Sequence, residues 1–336
     1  MAGDPPVAAM GNSSRPISSL YITLDSRVLS RSEESDDDPS KSQKLVKKKK
    51  NRRGGFTRKR ESNQKNPGFL NFSLMGTNAN GISSKLDSLQ ENINIFSPTV
   101  ITIQETKLRR KGSILVPGFQ VYESLRSENT GGGLLTAEDV NLDSAVVPSD
   151  NGNNDILTVQ IRVGNLDLWV INAYGPQESC NNDASSFWQL LESEIISVKD
   201  NNCLLIIQLD ANAKVGKAVI EDDPNDASKN GLTLLDMVTR HDLSIINSLD
   251  TCEGVVTRER KIINGVEKSV LDYIITCNDM NDFMEKMIIN EDRRIALTRF
   301  LNSKTKKPIK SDHNLLYYTF KIKYESLKPT LRREVF

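Results

Sequence analysis

Cys203-Leu204-Leu205-Ile206-Ile207-Gln208-Leu209-Asp210-Ala211-Asn212 is the stretch whose reading decides the fold. The run from 203 to 209 is apolar but for Gln208 and of strand length, so it belongs near the centre of a sheet covered on both faces. It ends in Asp210 and Asn212. In a strand, residues i and i+2 face the same side, so these two side chains can point into one pocket where the strand runs out. A second segment, Ser311-Asp312-His313, sets an acid beside an imidazole near the C-terminus. A carboxylate for a water, an amide for a phosphate oxygen and an Asp–His pair on the opposite side are the parts of a phosphoester-hydrolysing site.

Working outward from that run, strand patterns recur at 69–75, 99–104, 119–125, 133–137, 156–163, 166–172, 244–247, 255–257, 270–276 and 314–323. Ile82, Leu86, Leu89 and Ile93 recur at helical spacing until Pro98 closes the segment. Asp183 is placed to cap a helix whose Phe187, Leu190, Leu191, Ile195 and Val198 share a face, and 232–240 reads as a further helix. Many strands in two groups, with helices spaced to cover outer faces, predict one α+β domain over 67–324, followed by a charged tail or linker at 325–336. Gly131-Gly132-Gly133 lacks a following G-K-[ST] and opens no helix, so it is a strand-entry kink and not a P-loop.

The overall charge conceals two unlike parts. Of the chain's 44 basic and 44 acidic residues, 1–66 hold 15 and 8, which leaves 29 and 36 for the rest. The leader is rich in Ser and Pro and lacks apolar periodicity, the composition of a disordered segment. Its block 41–60 carries eleven Lys/Arg and no acid. That block reads either as a solvated tail or as a nuclear-import signal or nonspecific nucleic-acid contact, which makes the nucleus the expected compartment and the cytoplasm the alternative. No apolar run approaches the roughly 18–20 residues of a membrane span, so no membrane partner is expected. The four cysteines are widely spaced and form no C-x-x-C, which predicts neither a disulfide framework nor a zinc site.

Several predicted strands end in polar residues. Glu105 follows Ile101-Thr102-Ile103-Gln104, where an acid past a buried strand must pair or bind a cation. Asp272 interrupts the apolar run Val270-Leu271-Asp272-Tyr273-Ile274-Ile275. Asn78 and Asn80 read as turn residues, and Tyr174 as a tyrosine half-buried at a strand end. His241, the other histidine, falls at a helix end.

Taken in order, Asn78-Ala79-Asn80-Gly81, Gln104-Glu105-Thr106-Lys107, Asn172-Ala173-Tyr174-Gly175-Pro176, Asp210-Ala211-Asn212-Ala213, Leu271-Asp272-Tyr273-Ile274 and Ser311-Asp312-His313 resemble the endonuclease/exonuclease/phosphatase superfamily. Within it they are most similar to the endonuclease domain of LINE-type, non-LTR retrotransposons. The chain departs from that pattern at Leu209 and Ala211, where the family usually has Gly and an aromatic, and at Arg258, where an aromatic usually follows the threonine matched by Thr257.

The resemblance implies a four-layer α/β sandwich with the site at one edge of two packed sheets. It implies Mg²⁺, with Mn²⁺ as the alternative, held by Glu105 with help from Asn78. Asp210 would activate the attacking water, while Asn212 and His313 donate to phosphoryl oxygens with Tyr174 assisting. Asp312 would fix the His313 ring and Asp272 would steady the same network. Lys107, Arg109, Arg110 and Lys111 are the expected DNA-facing loop, with Thr257 near the phosphate. The expected substrate is double-stranded DNA, nicked to leave a 3′-hydroxyl; the alternatives are another phosphoesterase of the superfamily, an abasic-site repair endonuclease or an inositol-phosphate phosphatase, or a decayed non-catalytic nucleic-acid-binding module. No Y-x-D-D or A-D-D segment occurs, so a partner reverse transcriptase would be encoded elsewhere or lost by truncation.

Overall fold

Alternating burial along Gly68–Asn78 sets Phe72 and Leu74 against a second sheet and Met75 against the helical side, the period-2 signature of a strand covered on both faces. The structure is a computed structural model that describes residues 68–324 apart from 127–130, 148–153, 164–165, 179–180, 202 and 300–307. The expected leader 1–66 with its basic block, and the tail 325–336, lie outside the described residues.

In chain order the elements are β1 (Gly68–Asn78), α1 (Leu86–Phe96), β2 (Val100–Gln104), β3 (Phe119–Ser124), β4 (Leu134–Asp139) and β5 (Asp143–Val146). Then come β6 (Ile156–Val163), β7 (Leu166–Tyr174), α2 (Asn181–Asp200), β8 (Leu204–Asp210), α3 (Lys229–Arg240), β9 (Leu243–Ile245) and β10 (Cys252–Glu253). The last part adds β11 (Arg258–Ile262), β12 (Gly265–Ser269), β13 (Asp272–Cys277), β14 (Met284–Ile289), β15 (Thr298–Arg299), β16 (Ile309–Lys310) and β17 (Leu316–Tyr324).

The strands form a seven-stranded sheet, β10-β14-β17-β1-β2-β4-β3, and a six-stranded sheet, β5-β6-β7-β8-β13-β9. Phe72, Leu74, Val170, Ile206, Ile274, Tyr318 and Phe320 fill the space between them. The outer face of the six-stranded sheet is covered by α2 and α3 through Phe187, Leu191, Ile195, Leu234 and Met237. The outer face of the seven-stranded sheet buries Met75, Ile101 and Ile103 under Leu89 and Ile93 of α1. The result is the expected four-layer sandwich, with β8 central in its sheet between β7 and β13. No helix among the described residues is long and apolar enough to cross a membrane.

The differences from the sequence reading have local causes. Ile82 is buried in the α1 core but precedes the helix, which starts at Leu86 after the turn that Lys85 closes. The second helix starts at Asn181, so Asp183 lies inside its first turn instead of capping it. Residues 255–257 form no strand; pairing begins at Arg258, in a separate β11–β12 ribbon with five paired positions. That ribbon buries little on either face, so its sequence carries no alternation to read.

Helix α3 docks backbone to backbone on the segment that follows Asn212. Ser228 caps the helix through the Gly231 N–H and also accepts from the Lys214 N–H at 3.1 Å. A Cβ at Gly231 would stand 1.7 Å from the Lys214 carbonyl oxygen. Gly231→Ala should therefore cost about 1–3 kcal/mol and lower the melting temperature by roughly 5 °C or more. An unchanged melting curve would mean that α3 does not approach so closely.

Candidate active site

Strand direction gathers the polar ends at one edge. β1 runs parallel to β2 and β7 parallel to β8, so Asn78, Gln104, Tyr174 and Asp210 all close their strands at the same side. β13 runs antiparallel to β8, and its first residue, Asp272, pairs directly with Asp210. Tyr174 pairs with Asp210 on the other flank. Asp210 shares the parity of Ile206, which faces between the sheets, so its carboxylate points inward. Asp210 and Asp272 are both fully buried.

A connected set of hydrogen bonds holds these groups. Asn78 Nδ2 donates to Asp210 Oδ2 at 2.7 Å, and the Asn212 N–H donates to Asp210 Oδ1 at 3.1 Å. His313 Nδ1 lies 2.9 Å from Asp272 Oδ2 and 3.0 Å from Oδ1. Its Nε2 faces Asp210 Oδ2 at 3.9 Å, too far for a hydrogen bond, so a gap remains between them. Ser311 Oγ donates to the Asn78 carbonyl at 2.8 Å and ties the His313 segment to the end of β1. Asn212 Nδ2 donates to the Gly175 carbonyl at 2.9 Å.

Burial first, and then the Asp272 charge, raise the Asp210 carboxyl from 3.8 to about 7 against the opposing pull of His313, Asn78 and Asn212. For His313, burial alone would lower the imidazole, but Asp272 and then Asp210 outweigh it and raise the ring to about 9. The Tyr174 phenol is pushed well above its usual range by burial, then by Asp210 and Glu105, and so keeps its proton.

Asp210, Asp272 and His313 bring ligand atoms within 4.8 Å of one another, the spacing of a metal site. A metal there would have to displace the proton that the two carboxylates hold on the ring. Glu105 and Asn78 offer a different donor set. Ala79 N–H and Gly81 N–H donate to the Gln104 and Glu105 carbonyls at 2.9 and 2.8 Å, lacing the two loops side by side. Glu105 is partly exposed and its carboxylate pairs with Lys107 at 3.0 Å. A carboxylate and an amide oxygen on adjacent strand ends fit a hard cation such as Mg²⁺.

The structure therefore places Asn78, Asp210, Asn212, Asp272 and His313 in one bonded cluster, with Tyr174 and Glu105 beside it. Two expected placements change. Asp312 does not orient the ring; its carboxylate accepts from Arg258 Nε at 3.0 Å, while Asp272 holds His313 Nδ1. The chain bends at Asp312, and the two neighbouring side chains go to different partners, Asp312 to Arg258 and His313 to Asp272. Thr257 is fully buried, and its Oγ1 accepts from the Leu271 and Asp272 N–H groups at 2.9 and 3.1 Å. It braces Asp272 and presents no surface to DNA. Arg109, Arg110 and Lys111 are exposed beyond Glu105, whereas Lys107 turns back to Glu105 and to Asn80 Oδ1, at 2.5 Å from the latter.

Sequence reading missed Lys85, a buried ammonium that donates to the Ala79 and Asn80 carbonyls and whose pKa burial lowers. It quoted Ser311 as part of its segment without giving it a role, and it missed Arg126. Only a serine two residues before the histidine was there to find for the first, and nothing local marks the second.

No protein-family model matches this chain, and no curated protein sequence matches it. Solved structures do. The endonuclease domain of TRAS1, a telomere-specific non-LTR retrotransposon, superposes with a TM-score of 0.57 at 19% identity, over 75% of this chain and 99% of that one. An AP endonuclease from Leishmania major gives 0.61 at 13% identity over 75% and 88% of the two chains. The catalytic domain of Xenopus laevis APE2 gives 0.58 at 17% over 77% and 94%. These structures belong to the endonuclease/exonuclease/phosphatase superfamily, and the chain has their fold.

The two pKa shifts give the apo protein a defined pH response. Asp210 is raised, so its stabilising share is present below the ordinary carboxyl value of 3.8 and is lost as pH rises through about 7. His313 is raised, so its share is present below 6.5 and is lost as pH rises through about 9. Melting temperature in EDTA should therefore fall steadily from pH 5 to 9. Asp210→Asn, which removes one buried charge from a like-charged pair, should melt roughly 5–10 °C above the wild type at pH 8. A lower melting point for Asp210→Asn at that pH would show that the carboxylates do not oppose each other.

Proposed function

We propose that this chain hydrolyses phosphodiester bonds in DNA, nicking one strand of a duplex in the manner of a retrotransposon-type endonuclease. The observation that carries the reading is the buried Asp210–Asn78 and Asp272–His313 pairing around a gap at one sheet edge. A base near pH 7 beside a protonated imidazole suits acid–base work on a phosphoester. Structures sharing the fold are described as an endonuclease domain and as AP endonucleases, which supports DNA as the substrate class.

Asp210 takes a proton from the water whose oxygen attacks phosphorus. His313 Nε2–H and Asn212 donate to the non-bridging oxygens as negative charge builds there. Tyr174, held protonated, adds a further donor. The P–O3′ bond breaks as the 3′-oxygen takes a proton from a solvent water and leaves as a hydroxyl, the 5′ side keeps the phosphate, and Asp210 returns the proton it took to solvent. Asp272 keeps the ring in place through Nδ1, with Thr257 bracing Asp272 from behind. Glu105 and Asn78 would hold a Mg²⁺ ion, which supplies positive charge to the phosphoryl oxygens when bound. The β11–β12 ribbon joins the site through the bridge between Arg258 and His313, and it carries Arg260 and Lys261 along with the acids Glu259 and Glu267.

The deciding experiment is nicking of supercoiled plasmid with millimolar Mg²⁺ or with EDTA. Wild type should convert plasmid to open circles only with the metal, and Asp210→Ala and His313→Ala should each lose about a hundredfold or more. Incision restricted to an abasic duplex, or release of inorganic phosphate from a 3′ end, would move the assignment within the superfamily. Wild-type silence on all three substrates would overturn it.

The metal assignment has its own measurement. Glu105→Gln keeps the shape and removes the ligand charge, so it should raise the Mg²⁺ concentration for half-maximal nicking and weaken the thermal shift that Mg²⁺ produces. The same Mg²⁺ response in both proteins would take the metal away from Glu105.

A further inference from the structure

Arg126 follows β3 and stands at the rim of the site. Its Nε and Nη2 donate to the two oxygens of Asp155, each at 2.6 Å. Its guanidinium carbon lies 5.4 Å from the centre of the Tyr174 ring, and the Tyr174 N–H donates to the Asp155 carbonyl at 2.9 Å. The stem is confined as well. Gly132 has a φ of +83°, and a Cβ there would come within 2.6 Å of Arg126 Cδ and Nε. The guanidinium is thus fixed along one edge by Asp155, across one face by an aromatic ring and along its stem by a glycine backbone.

Immobilising so long a side chain costs rotamer entropy, and a partly exposed ion pair returns little of it. The arrangement makes physical sense where a planar, pre-oriented donor edge is needed for a ligand. That edge exists. The pair with Asp155 uses Nε and Nη2, which leaves the Nη1 hydrogens without a partner among the described residues, and the side chain is 30% exposed. Arg126 also lies close enough to Tyr174 and Glu105 for both to favour its charge, so it borders the groups assigned to the reaction.

We propose that Arg126 binds substrate, donating from Nη1 to a non-bridging oxygen of a backbone phosphate next to the one that is cleaved. This rests on the reading of the chain as a DNA-hydrolysing enzyme. Tyr174 has Asp210 as its neighbour on β8 and Arg126 over its ring, so Arg126 stands one side chain beyond the phosphoryl-binding groups. A fork that already holds one carboxylate on one edge suits a phosphate oxygen on the next.

The test uses the full chain and a duplex oligonucleotide that wild type nicks, with single methylphosphonates placed at each phosphate flanking the cut. In wild type, neutralising one flanking phosphate should lower kcat/KM about tenfold to a hundredfold, the range of a hydrogen bond to a charged group. Arg126→Met should lose a similar factor on unmodified DNA and become indifferent to that methylphosphonate. Arg126→Lys, which keeps a charge, should retain part of the sensitivity, and it serves as the decisive comparison should Arg126→Met fail to fold. Identical methylphosphonate penalties in wild type and in a folded Arg126 variant would overturn the inference and leave the enzyme reading intact. Absence of nicking by wild type on any DNA would instead overturn the enzyme reading.

Discussion

Asp210 and Asp272 face each other across a strand pair, both out of water, and the proton on His313 is what allows them to remain there. Two carboxylates buried side by side are costly unless a positive group stands between them. The imidazole bonds one and faces the other, and Asn78 and the Asn212 N–H supply donors to the second. Everything else at this edge serves that balance. Thr257 fixes the backbone of Asp272, Ser311 fixes the segment carrying His313 to β1, and Asn247 donates to the Asp272 carbonyl at 3.1 Å. A balance of this kind is costly as structure and useful as chemistry, because it holds a base near neutrality beside a charged donor.

Behind the site the inter-sheet layer changes character. Toward its far side it is Phe72, Tyr318 and Phe320; toward the site it carries Thr102, Gln104, Asn172 and Gln208, all fully buried. Gln104 donates to Asn172 Oδ1 at 2.8 Å, and Asn172 donates to the Leu135 carbonyl at 2.9 Å. These amides join strands of the two sheets directly, since β2 and β4 lie in one and β7 in the other. An apolar contact would let the sheets slide by a fraction of an ångström, whereas a directional bond between amides fixes their offset. Asn78 and Asp210 sit on opposite sheets and must meet at 2.7 Å, so that offset matters.

The sequence disclosed the parts of this structure that depend on period and order. An apolar run ending in Asp210-x-Asn212 is a buried strand with an inward-facing acid, whatever surrounds it. Six short motifs in order point to the sandwich and to most of the polar strand ends. Pair partners were not legible, because they depend on which strands become neighbours. Asp312 is adjacent to His313 in sequence and so invites a pairing, yet its carboxylate goes to Arg258 and the partner of the ring comes from β13. Thr257 was expected near the phosphate, but the chain tucks it under the start of β13. Arg126 had no signal, since its meaning comes from Tyr174, Asp155 and Gly132, which lie elsewhere in the chain.

Backbone conformation around the site carries one more constraint. Asn80, Glu105, Lys107 and Asn212 all have positive φ, between 46° and 54°. Asparagine tolerates this region at little cost, but glutamate and lysine do not. The conformation of the Glu105 loop is imposed from outside, because Thr106 and Lys107 donate their N–H groups to the Gly133 and Gly132 carbonyls at 3.0 and 2.9 Å. Those glycines themselves have φ values of +84° and +83°, which few other residues adopt. The triple glycine thus acts on both sides at once. Its carbonyls turn the loop that carries Glu105, and its bare Cα at position 132 admits the stem of Arg126. Strain of this kind persists where surrounding structure over-determines it, and here it bends the chain back over the strand ends, where the carboxylates and amides converge.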